Sequence, residues 1–356
     1  MLSEMEFEKF KTMQFPRDVY VGHGVLANVV PVAGRYMKSG SIMIITGKIT
    51  YDLAGKEVQN LLEDAKYEVH VVKTDKANTE NLEKIEKSAA DLNLGLIIGV
   101  GGGTKIDLAK KTAYDFDVPF VSIPTSPSHD GIASPRASIK RANSTLSQEA
   151  AMPIAIIADT VVLAKAPFRY LKAGAADVIS NLTALLDWKL ANRLHGEEYS
   201  TSAAAISEYA AKELLEKCHL ILEGVEESVW LVTKQILASG TAMAIAGSSR
   251  PASGSEHLLA HALEMSNPGQ SIHGEQCAVG SVVSMFLHGG DWQGLAAAYR
   301  RMGLSIRAKD YKIPDAVIIN ALSTAHSIRP ERYTILGEKD ISTNAAEKAL
   351  EITGII

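Results

Sequence analysis

Three histidines in the second half of the chain are spaced as metal ligands are. His257 and His261 lie four residues apart in the apolar run SEHLLAHALE, and His273 follows twelve residues later in IHGEQ. The i, i+4 spacing puts the first two on one face of a helix, so both imidazoles can reach the same small volume. Three imidazoles suit a borderline cation such as zinc, with a carboxylate as a further ligand. The spacing predicts a metal-dependent active site, although a histidine in a helix is more often a core or surface residue.

The leading candidate for the carboxylate is Asp177. It stands in GAADVISNLTALLDWK, which we interpret as the start of a mostly apolar helix. An acid in the first turn also favours the helix dipole, and that structural role is the simpler alternative. Three glutamates near the histidines are candidates for outer partners that fix the imidazole tautomers, namely Glu256, Glu264 and Glu275.

A glycine-rich turn predicts a phosphate site in the first half of the chain. The segment LGLIIGVGGGTKIDLAK places Gly99 and Gly101 to Gly103 between a β-branched strand and a helix that begins near Thr104. Glycine lets the backbone approach a pyrophosphate, and the helix N-terminus offers free amides. Neither the Walker pattern nor the G-x-G-x-x-G fingerprint fits in its usual register, and the segment can also be a simple tight turn.

The loop after the next strand, SIPTSPSHDGIASPRASI, is expected beside this glycine turn. Both segments follow the carboxyl ends of parallel strands, where ligands of open α/β sheets collect. The loop offers short polar contacts of the kind that a dinucleotide takes, on Thr125, Ser126, Ser128 and Ser134. Asp130 is the acid best placed to meet a polyol hydroxyl, although a loop rich in serine and proline is often only a connection.

The elements that must position these residues form two halves with different periods. From Ser41 to about Asp159, short β-branched runs alternate with amphipathic stretches, which predicts an α/β Rossmann-like domain with a parallel sheet. Five strands are predicted, over residues 41–46, 67–73, 94–100, 119–124 and 153–159. After Pro167 the chain becomes rich in alanine and leucine, which predicts an all-α domain.

The predicted domain boundary lies in LAKAPFRYLKAG, where Pro167 and Gly174 are expected to bracket the junction before the first long helix. Residues 1–166 form the predicted dinucleotide-binding domain, with residues 1–14 as an extra N-terminal arm. Residues 167–356 form the predicted helical domain, which binds metal and substrate.

The composition argues against several classes of function. The 356 residues carry a formal net charge of −5 with a pI near 6.1, so there is no basic footprint for nucleic acid. No stretch approaches 18 uninterrupted apolar residues and the N-terminus lacks a secretory pattern, so we expect a chain that does not span a membrane. The two cysteines, Cys218 and Cys277, form no CxxC pair, which favours the cytoplasm. We interpret Cys277 as a buried apolar thiol rather than a metal ligand.

Five motifs occur in order along nearly the whole chain: GVGGGTKID, PTSPSHDG, GAADVIS, GSEHLLAHALE and IHGEQ. Together they resemble the superfamily that includes glycerol dehydrogenases, dehydroquinate synthases and iron-dependent alcohol dehydrogenases. Within it, TSPSHDGIASPRAS and SSRPASGSEHLLAHALE are most similar to the archaeal sn-glycerol-1-phosphate dehydrogenase family. Dehydroquinate synthases carry a different loop and a glutamate where this chain has Asp177, and the Gly-Thr-Gly-Ser-Glu loop of iron-type alcohol dehydrogenases is absent from this sequence.

The resemblance implies a role for each candidate residue. Asp177, His257 and His273 would hold the metal, while Asp130 and His261 would contact the substrate together with Asp177. His261 would thus serve the substrate or proton transfer, and all three histidines would be catalytic with Asp177. The cofactor would be contacted by Gly103, Thr104, Lys105, Ile106, Asp107, Thr125, Ser126, Pro127, Ser128 and Ser134. His129 stands where many members of the family have asparagine.

The implied reaction is reduction of dihydroxyacetone phosphate to sn-glycerol 1-phosphate, a backbone precursor of archaeal membrane phospholipids. The implied cofactors are NAD or NADP and one divalent metal, with zinc expected ahead of nickel or iron. The first predicted strand ends in Thr46, Gly47 and Lys48, with no acid immediately placed for the ribose 2′-hydroxyl, so use of both nucleotides is expected.

Other points stay open at the level of sequence. Arg250, Arg136 and Lys140 are candidates for the substrate phosphate on position alone. A homo-oligomer is expected. The alternatives are a glycerol or other polyol dehydrogenase, a dehydroquinate synthase-like lyase, and a non-catalytic ligand-binding protein with structural histidines.

Overall fold

The computed structural model describes residues 12–141 and 144–356, so most of the predicted N-terminal arm lies outside the described residues. Six strands form one sheet in the order β1-β8-β5-β4-β2-β3, with all neighbours parallel, and two more form an antiparallel hairpin. The strands are β1 (Asp18–Gly22), β2 (Ser41–Thr46), β3 (Val69–Lys73), β4 (Leu94–Gly101), β5 (Phe120–Pro124), β6 (Arg136–Arg141), β7 (Ser144–Glu149) and β8 (Ala155–Asp159).

The large sheet is covered on both faces, which explains its sequence. Every residue of β2, β5 and β8 is buried, so these strands are continuous apolar runs rather than alternating ones. One face packs against a core that includes Val29 and Val58. The other face belongs to a larger core that continues into the helical half, from Met43 to Ile355.

The helices follow the expected division of the chain. In order they are α1 (Val29–Tyr36), α2 (Lys48–Thr50), α3 (Lys56–Asp64), α4 (Thr79–Ala89), α5 (Gly103–Asp115), α6 (Thr160–Leu163), α7 (Phe168–His195), α8 (Thr201–Glu216), α9 (Glu226–Ala246), α10 (Ser255–Ser266), α11 (His273–Leu287), α12 (Trp292–Arg301), α13 (Asp315–Ser323) and α14 (Thr343–Thr353). A π-helical turn, Tyr51–Gly55, joins α2 to α3. Short 3-10 turns cover Val25–Asn28, Asp130–Ala133, Cys218–Leu220, Arg250–Ala252, Ala308–Tyr311 and His326–Ile328.

Helix α7 is the central helix of the second half and packs against α8, α9, α10 and α11. It begins at Phe168, directly after Pro167. The prediction that Gly174 belongs to a junction before the helix was wrong, because Gly174 lies inside α7. Asp177 is consequently the tenth residue of this helix and not part of its first turn. The dipole effect fades beyond the first turn, so it does not explain an acid at this position.

Helix α9 is the only helix in the described part of the chain that is long and apolar enough to cross a membrane. Only its length and its composition meet this criterion. In the structure, 61% of its most apolar window is buried, and the helix packs against α7 and α8. Its apolar character is accounted for by its place in the core.

The predicted α/β sheet followed by helices is confirmed, and the five predicted strands occur with ends shifted by at most two residues. Strand β1 was not predicted, because its sequence, DVYVG, has no fully buried residue and forms no continuous apolar run. The loop after β5 was predicted to run through Ile139, which was wrong from Arg136 onward, where β6 begins. The signal was a brief alternation, in which Ala137 and Ile139 are buried and Ser138 between them is not. The boundary at 166/167 falls between α6 and α7 and stays a prediction.

The strand order places a ligand crevice between β2 and β4. The chain leaves β2 on one side to form β3, and then returns on the other side of β2 to form β4. Ligands of open α/β sheets bind outside the carboxyl ends of the strands at such a reversal. The Gly47 turn after β2 and the glycine turn after β4 both lie at this edge.

Candidate active site

Three helices bring Asp177, His257 and His273 to one point. Asp177 lies in α7, His257 lies in the first turn of α10, and His273 is the first residue of α11. The Nε2 atoms of His257 and His273 lie 3.6 Å and 3.7 Å from Oδ1 of Asp177. The three side chains that the resemblance assigns to a metal therefore converge, although they come from segments far apart in the sequence.

Oδ1 of Asp177 is a buried acceptor that lacks a donor. The residue is 1% exposed, and no described residue donates a hydrogen bond to this oxygen. An unsatisfied buried carboxylate oxygen is costly, and a bound cation removes that cost. The distances to the two imidazoles are close to the edge of a tetrahedron built on metal–ligand bonds of about 2.0–2.3 Å. One carboxylate and two imidazoles thus fit a divalent metal.

Each imidazole is held from its other nitrogen by a glutamate. Nδ1 of His257 lies 2.9 Å from Oε1 of Glu256, and Nδ1 of His273 lies 3.3 Å from Oε1 of Glu264. A carboxylate on Nδ1 fixes the ring so that Nε2 is free to act as a ligand. Oε2 of Glu264 also faces Nδ1 of His261 at 3.5 Å. The third candidate for this role, Glu275, pairs with Arg169 instead, with Nε and Oε1 2.5 Å apart.

The charges in the cluster support one another. Burial alone would raise the pKa of Asp177, but His257 and His273 hold it below its ordinary value. Burial likewise opposes a charge on His273, but Glu264 and Asp177 raise the pKa of this imidazole to about 9. The site is therefore arranged to keep Asp177 ionised in spite of its burial.

Asp130 joins the loop after β5 to the metal cluster. Its backbone N–H donates to Oδ2 of Asp177 at 3.1 Å, and its own Oδ2 accepts a hydrogen bond from Ser239 at 2.7 Å. Burial and the neighbouring Asp177 raise the pKa of Asp130 to about 7. The ring of His261 lies 5.8 Å from that of His273 and 6.3 Å from that of His257, measured between centroids. Of the three predicted substrate residues, Asp130 and His261 thus lie beside the cluster, whereas Asp177 is among its ligand atoms.

Two glycines allow the close packing that forms the cluster. A Cβ atom on Gly274 would lie 1.9 Å from the carbonyl oxygen of Ala173, so the start of α11 touches the backbone of α7 directly. A Cβ atom on Gly174 would lie 2.0 Å from the carbonyl oxygen of Pro127, so α7 touches the loop after β5 in the same way. Both contacts are within a helical turn of a candidate ligand.

The glycine turn between β4 and α5 fits the phosphates of a nucleotide. Gly102 caps the helix in an extended conformation, and Gly103 is the first helical residue. The N–H groups of Gly103 and Thr104 precede the first bond inside the helix and are therefore donors for an anion. A Cβ atom on Gly103 would lie 1.8 Å from Nε2 of His129, so the loop after β5 closes directly onto this turn.

Lys105 lies across the crevice at the sheet edge. Its Nζ donates to the carbonyl oxygen of Asp75 at 2.7 Å, and Cβ atoms on Gly47 or Gly101 would lie 2.7 Å from its side chain. Burial lowers the pKa of this lysine. The backbone of Thr125 donates to the carbonyl oxygen of Gly101 at 3.0 Å, which ties the two loops together.

The remaining predicted cofactor residues lie in the loop after β5 and in helix α5. Ser126 and Ser128 lie in the loop with their hydroxyl groups 3.4 Å apart. Three others, Ile106, Asp107 and Ser134, are buried. The carboxylate of Asp107 accepts from the backbone of Ser138 at 3.1 Å and pairs with Lys110 at 3.0 Å. Their roles as cofactor contacts, like those of the whole predicted set, stay predictions.

The cations proposed for a substrate phosphate are only partly suitable. The guanidinium of Arg250 is committed to Glu197 and to the carbonyl oxygen of Tyr333. Arg136 and Lys140 are exposed on β6.

A different arginine, Arg332, lies beside the segment that leads into α10. It donates to the carbonyl oxygen of Ser253 at 2.6 Å and to the hydroxyl of Ser249 at 2.9 Å. No carboxylate of residues 12–141 or 144–356 forms an ion pair with it. Burial, together with Arg329 and Arg250, lowers its pKa to about 9. A half-buried cation among other cations is suited to an anionic ligand.

The structure places two further residues beside the site, namely Cys277, which the sequence analysis interpreted as a buried thiol, and Lys110, which it did not consider. Sγ of Cys277 lies 3.5 Å from Nε2 of His273 and 3.7 Å from Nε2 of His257. Its signal was the spacing of four residues after His273, which places both on one face of α11. Lys110 is fully buried and donates to the carbonyl oxygen of Gly131 at 2.7 Å, so it holds the loop after β5 to α5. Its signal was a spacing of three residues after Asp107.

Comparison with known proteins identifies close relatives of the chain. Residues 20–167 match the family described as iron-containing alcohol dehydrogenase. Proteins named glycerol-1-phosphate dehydrogenase (NAD(P)+) are similar over almost the full length. The protein from Thermoplasma acidophilum is 60% identical, covering 99% of this chain and 100% of its own, and that from Methanosarcina barkeri is 49% identical, covering 97% of each.

Solved structures support the fold. The crystal structure of glycerol dehydrogenase from Schizosaccharomyces pombe has a TM-score of 0.80 at 21% identity, covering 97% of this chain and 90% of its own. That of a probable glycerol dehydrogenase from Sinorhizobium meliloti has a TM-score of 0.79 at 20% identity, covering 97% of this chain and 98% of its own. At these identities the likeness concerns the arrangement of strands and helices alone.

Proposed function

The chain belongs to the glycerol-1-phosphate dehydrogenase family, and we propose that it reduces dihydroxyacetone phosphate to sn-glycerol 1-phosphate with NADH or NADPH. The product is a backbone precursor of archaeal membrane phospholipids. Relatives of that name are 45–60% identical over nearly the full length. The structural observation that carries the proposal is the unpaired, buried Oδ1 of Asp177, which faces two imidazoles.

The chemistry is divided between the bound groups and the chain. A nicotinamide cofactor supplies the hydride, and a divalent metal, zinc in our proposal, supplies Lewis-acid polarisation of the substrate carbonyl. Asp177, His257 and His273 would hold the metal. Glu256 and Glu264 keep Nε2 of each imidazole directed at Asp177. The amides at the start of α5, with the loop residues 125–128, hold the pyrophosphate of the cofactor.

Asp130 and His261 complete the substrate site. One oxygen of Asp130 is held by Ser239, which leaves the other to accept a hydrogen bond from the hydroxyl of dihydroxyacetone phosphate. His261 has Nδ1 on Glu264, so Nε2 is the nitrogen that delivers a proton to the alkoxide oxygen as hydride arrives. The two residues come from different halves of the sequence, and each lies beside the cluster of Asp177, His257 and His273.

Arg332 is our candidate for the phosphate of the substrate. The serine whose carbonyl it contacts, Ser253, lies four residues before His257, so the guanidinium is beside the start of α10. It has no carboxylate partner among the described residues. A phosphate would supply the missing anion through charge-assisted hydrogen bonds, which arginine makes well.

Two further expectations belong to this proposal. We propose that the protein acts in the cytoplasm, in keeping with its two free cysteines. We also propose a homo-oligomer, and sedimentation equilibrium at micromolar concentration would decide it, since a single monomer mass contradicts this part.

The decisive assay measures oxidation of NADH and of NADPH with dihydroxyacetone phosphate, and resolves the stereochemistry of the product. We expect sn-glycerol 1-phosphate and a kcat/KM for dihydroxyacetone phosphate well above that for dihydroxyacetone. Equal efficiency with both ketones would sink the proposal in favour of a polyol dehydrogenase. The same preparation is analysed for metal content.

The role of the metal is tested with matched histidine variants. His257→Ala should lose bound metal and turnover together, because the site keeps only one imidazole beside Asp177. His219→Ala, at an exposed position, serves as the control and should keep both. Full activity of a verified metal-free preparation would refute the metal mechanism.

A further inference from the structure

We propose that Cys277 is a fourth metal ligand and that its sulfur makes the site prefer zinc to iron. The proposal rests on the metal dependence proposed above. It concerns a residue that the three-ligand set of one carboxylate and two imidazoles leaves out. In that three-ligand set the thiol would only fill space beside the Nε2 atoms of the two histidines.

The positions of four atoms carry the proposal. Oδ1 of Asp177, Nε2 of His257, Nε2 of His273 and Sγ of Cys277 all lie within 4.8 Å of one another. The sulfur is 3.5 Å and 3.7 Å from the two nitrogens, and these nitrogens are 3.6 Å and 3.7 Å from the carboxylate oxygen. The sulfur therefore lies at nearly the same distance from the two imidazole nitrogens as the carboxylate oxygen does. Bonds of about 2.3 Å to sulfur and about 2.0–2.1 Å to nitrogen give tetrahedral edges close to these values.

The surroundings of the sulfur favour ligation over packing. Cys277 is 0% exposed, and its Sγ faces Nε2 of His257 and of His273. In each of these two rings a glutamate contacts the other nitrogen, Nδ1. Both imidazoles therefore direct Nε2 at the space that Sγ and Oδ1 of Asp177 enclose. The unpaired state of that oxygen indicates independently that a cation belongs there. A neutral thiol is a weak donor and would not satisfy it.

Ligation has a defined chemical balance. As the metal–sulfur bond forms, the S–H bond breaks and its proton passes to the buffer, without any oxidation or reduction. Thiolate is a soft ligand that selects zinc among the metals this site can hold, whereas carboxylate and imidazole alone also accept iron. The sulfur would thus decide metal identity, which the three-ligand set leaves open, and the substrate carbonyl would bind as a fifth ligand.

Cobalt spectroscopy on the full-length protein provides the test. The metal-free protein is loaded with one equivalent of Co²⁺, and its near-ultraviolet spectrum is searched for a thiolate-to-cobalt charge-transfer band. The chain has only two cysteines, so Cys218→Ser is a matched control. We expect the band in the wild type and in Cys218→Ser and its loss in Cys277→Ser. A wild type that binds cobalt stoichiometrically without the band overturns the proposal, as does a band that survives in Cys277→Ser.

A second measurement does not depend on spectra. Zinc addition should release one more proton from the wild type than from Cys277→Ser or Cys277→Ala, and equal release contradicts the proposal. In competition between Zn²⁺ and Fe²⁺, the preference for zinc should fall in both variants, whereas loss of an outer partner, which costs roughly 10–100-fold in metal affinity, should weaken the binding of both metals alike. If the variants do not fold, X-ray absorption of the zinc-loaded wild type must show one sulfur neighbour. None of these measurements uses the ketone assay. A wrong assignment of Cys277 can therefore be told apart from a wrong assignment of the reaction.

Discussion

At Asp177 the two carboxylate oxygens have different tasks. Oδ1 faces the two imidazoles without a hydrogen bond, while Oδ2 accepts the N–H of Asp130. In our proposal the first oxygen would bind the cation, and the second fixes the loop that would meet the substrate.

Asp177→Asn should lower the affinity for zinc and remove most of the stabilisation that zinc gives. The neutral amide keeps the shape of the side chain but loses the charge that pairs with the cation. At a free zinc concentration of 100 times the dissociation constant, the wild type gains about 2.7 kcal/mol in free energy of unfolding. The measurement is the thermal unfolding midpoint with and without zinc.

Asp291→Asn is the control, because Asp291 caps α12 away from the cluster and asparagine caps a helix equally well. The zinc-induced rise of its thermal unfolding midpoint should equal that of the wild type. An undiminished shift in Asp177→Asn would remove this carboxylate from the set of ligands.

Arg332→Gln tests the phosphate assignment by comparing two ketones. A hydrogen bond to a charged group contributes about 1.5–3 kcal/mol, so KM for dihydroxyacetone phosphate should rise about 10-fold or more. The kinetics with dihydroxyacetone should hardly change, since that ketone has no phosphate. Steady-state assays of Arg301→Gln, an exposed position, give the reference. An equal loss of kcat/KM with both ketones would show instead that Arg332 stabilises the structure and does not bind the phosphate.

Among single residues, the sequence predicted that His257 and His261 share a helix, but it gave Asp177 the wrong place in its own helix. The spacing of His257 and His261 is sufficient to place both side chains on one face of a helix. Asp177 was interpreted as a first-turn residue because Gly174 looked like a helix boundary. A glycine that serves close packing and a glycine that ends a helix look alike in a sequence, and only tertiary contacts separate them.

At the scale of elements, the geometry of the cluster depends on where α11 crosses α7. The crossing is set by the absence of a side chain on Gly274, which rests on the carbonyl oxygen of Ala173. His273 directly precedes Gly274, and Asp177 lies one turn of α7 after Ala173. The separation of these two helices therefore fixes the distance from the imidazole to the carboxylate.

Gly274→Ala should push α11 away from α7 and weaken zinc binding in a protein that still folds. Overpacking of this kind costs about 1–3 kcal/mol. Gly34→Ala is the matched control in helix α1, where the nearest atom to the new Cβ is the hydroxyl of Tyr67 at 3.3 Å. Urea unfolding and a zinc titration of both variants provide the comparison. Unchanged zinc affinity in Gly274→Ala would show that the helices adjust without moving the ligands.

At the scale of the whole molecule, the metal cluster and the nucleotide crevice are mechanically connected. Asp130 bonds to Asp177, and the same loop contacts the glycine turn through His129 and Gly103. In our proposal metal and nucleotide would therefore both act on this loop. Binding free energies that share an element in this way are coupled, and the coupling is reciprocal.

We accordingly expect NADPH to bind more tightly to zinc-loaded protein than to metal-free protein, by about 5-fold or more. Calorimetric titration of NADPH into each form measures this ratio. Titration of zinc with and without NADPH must return the same factor if the loop transmits the effect. Equal nucleotide affinity in both forms would mean that the two sites act independently.

The sequence predicted the fold class of the molecule but not its strand order. Continuous apolar runs announced the buried strands β2, β4, β5 and β8, because each is covered on both faces. Pairing between strands distant in sequence leaves no local pattern, which is why β1 escaped notice. The crevice between β2 and β4 likewise follows from the order of the sheet and from no single segment.

The pairing of β1 with β8 has a consequence for the synthesis of the chain. Asp18 lies opposite Ala155, so the first strand leaves the ribosome more than a hundred residues before its partner. At usual rates of translation it waits on the order of ten seconds with its hydrogen-bonding edge unpaired. Such an edge attracts other strands, and a slow or stalled ribosome prolongs the wait. The yield of native protein should therefore depend on the speed at which residues 23–159 are translated, although no residue of the active site lies in β1.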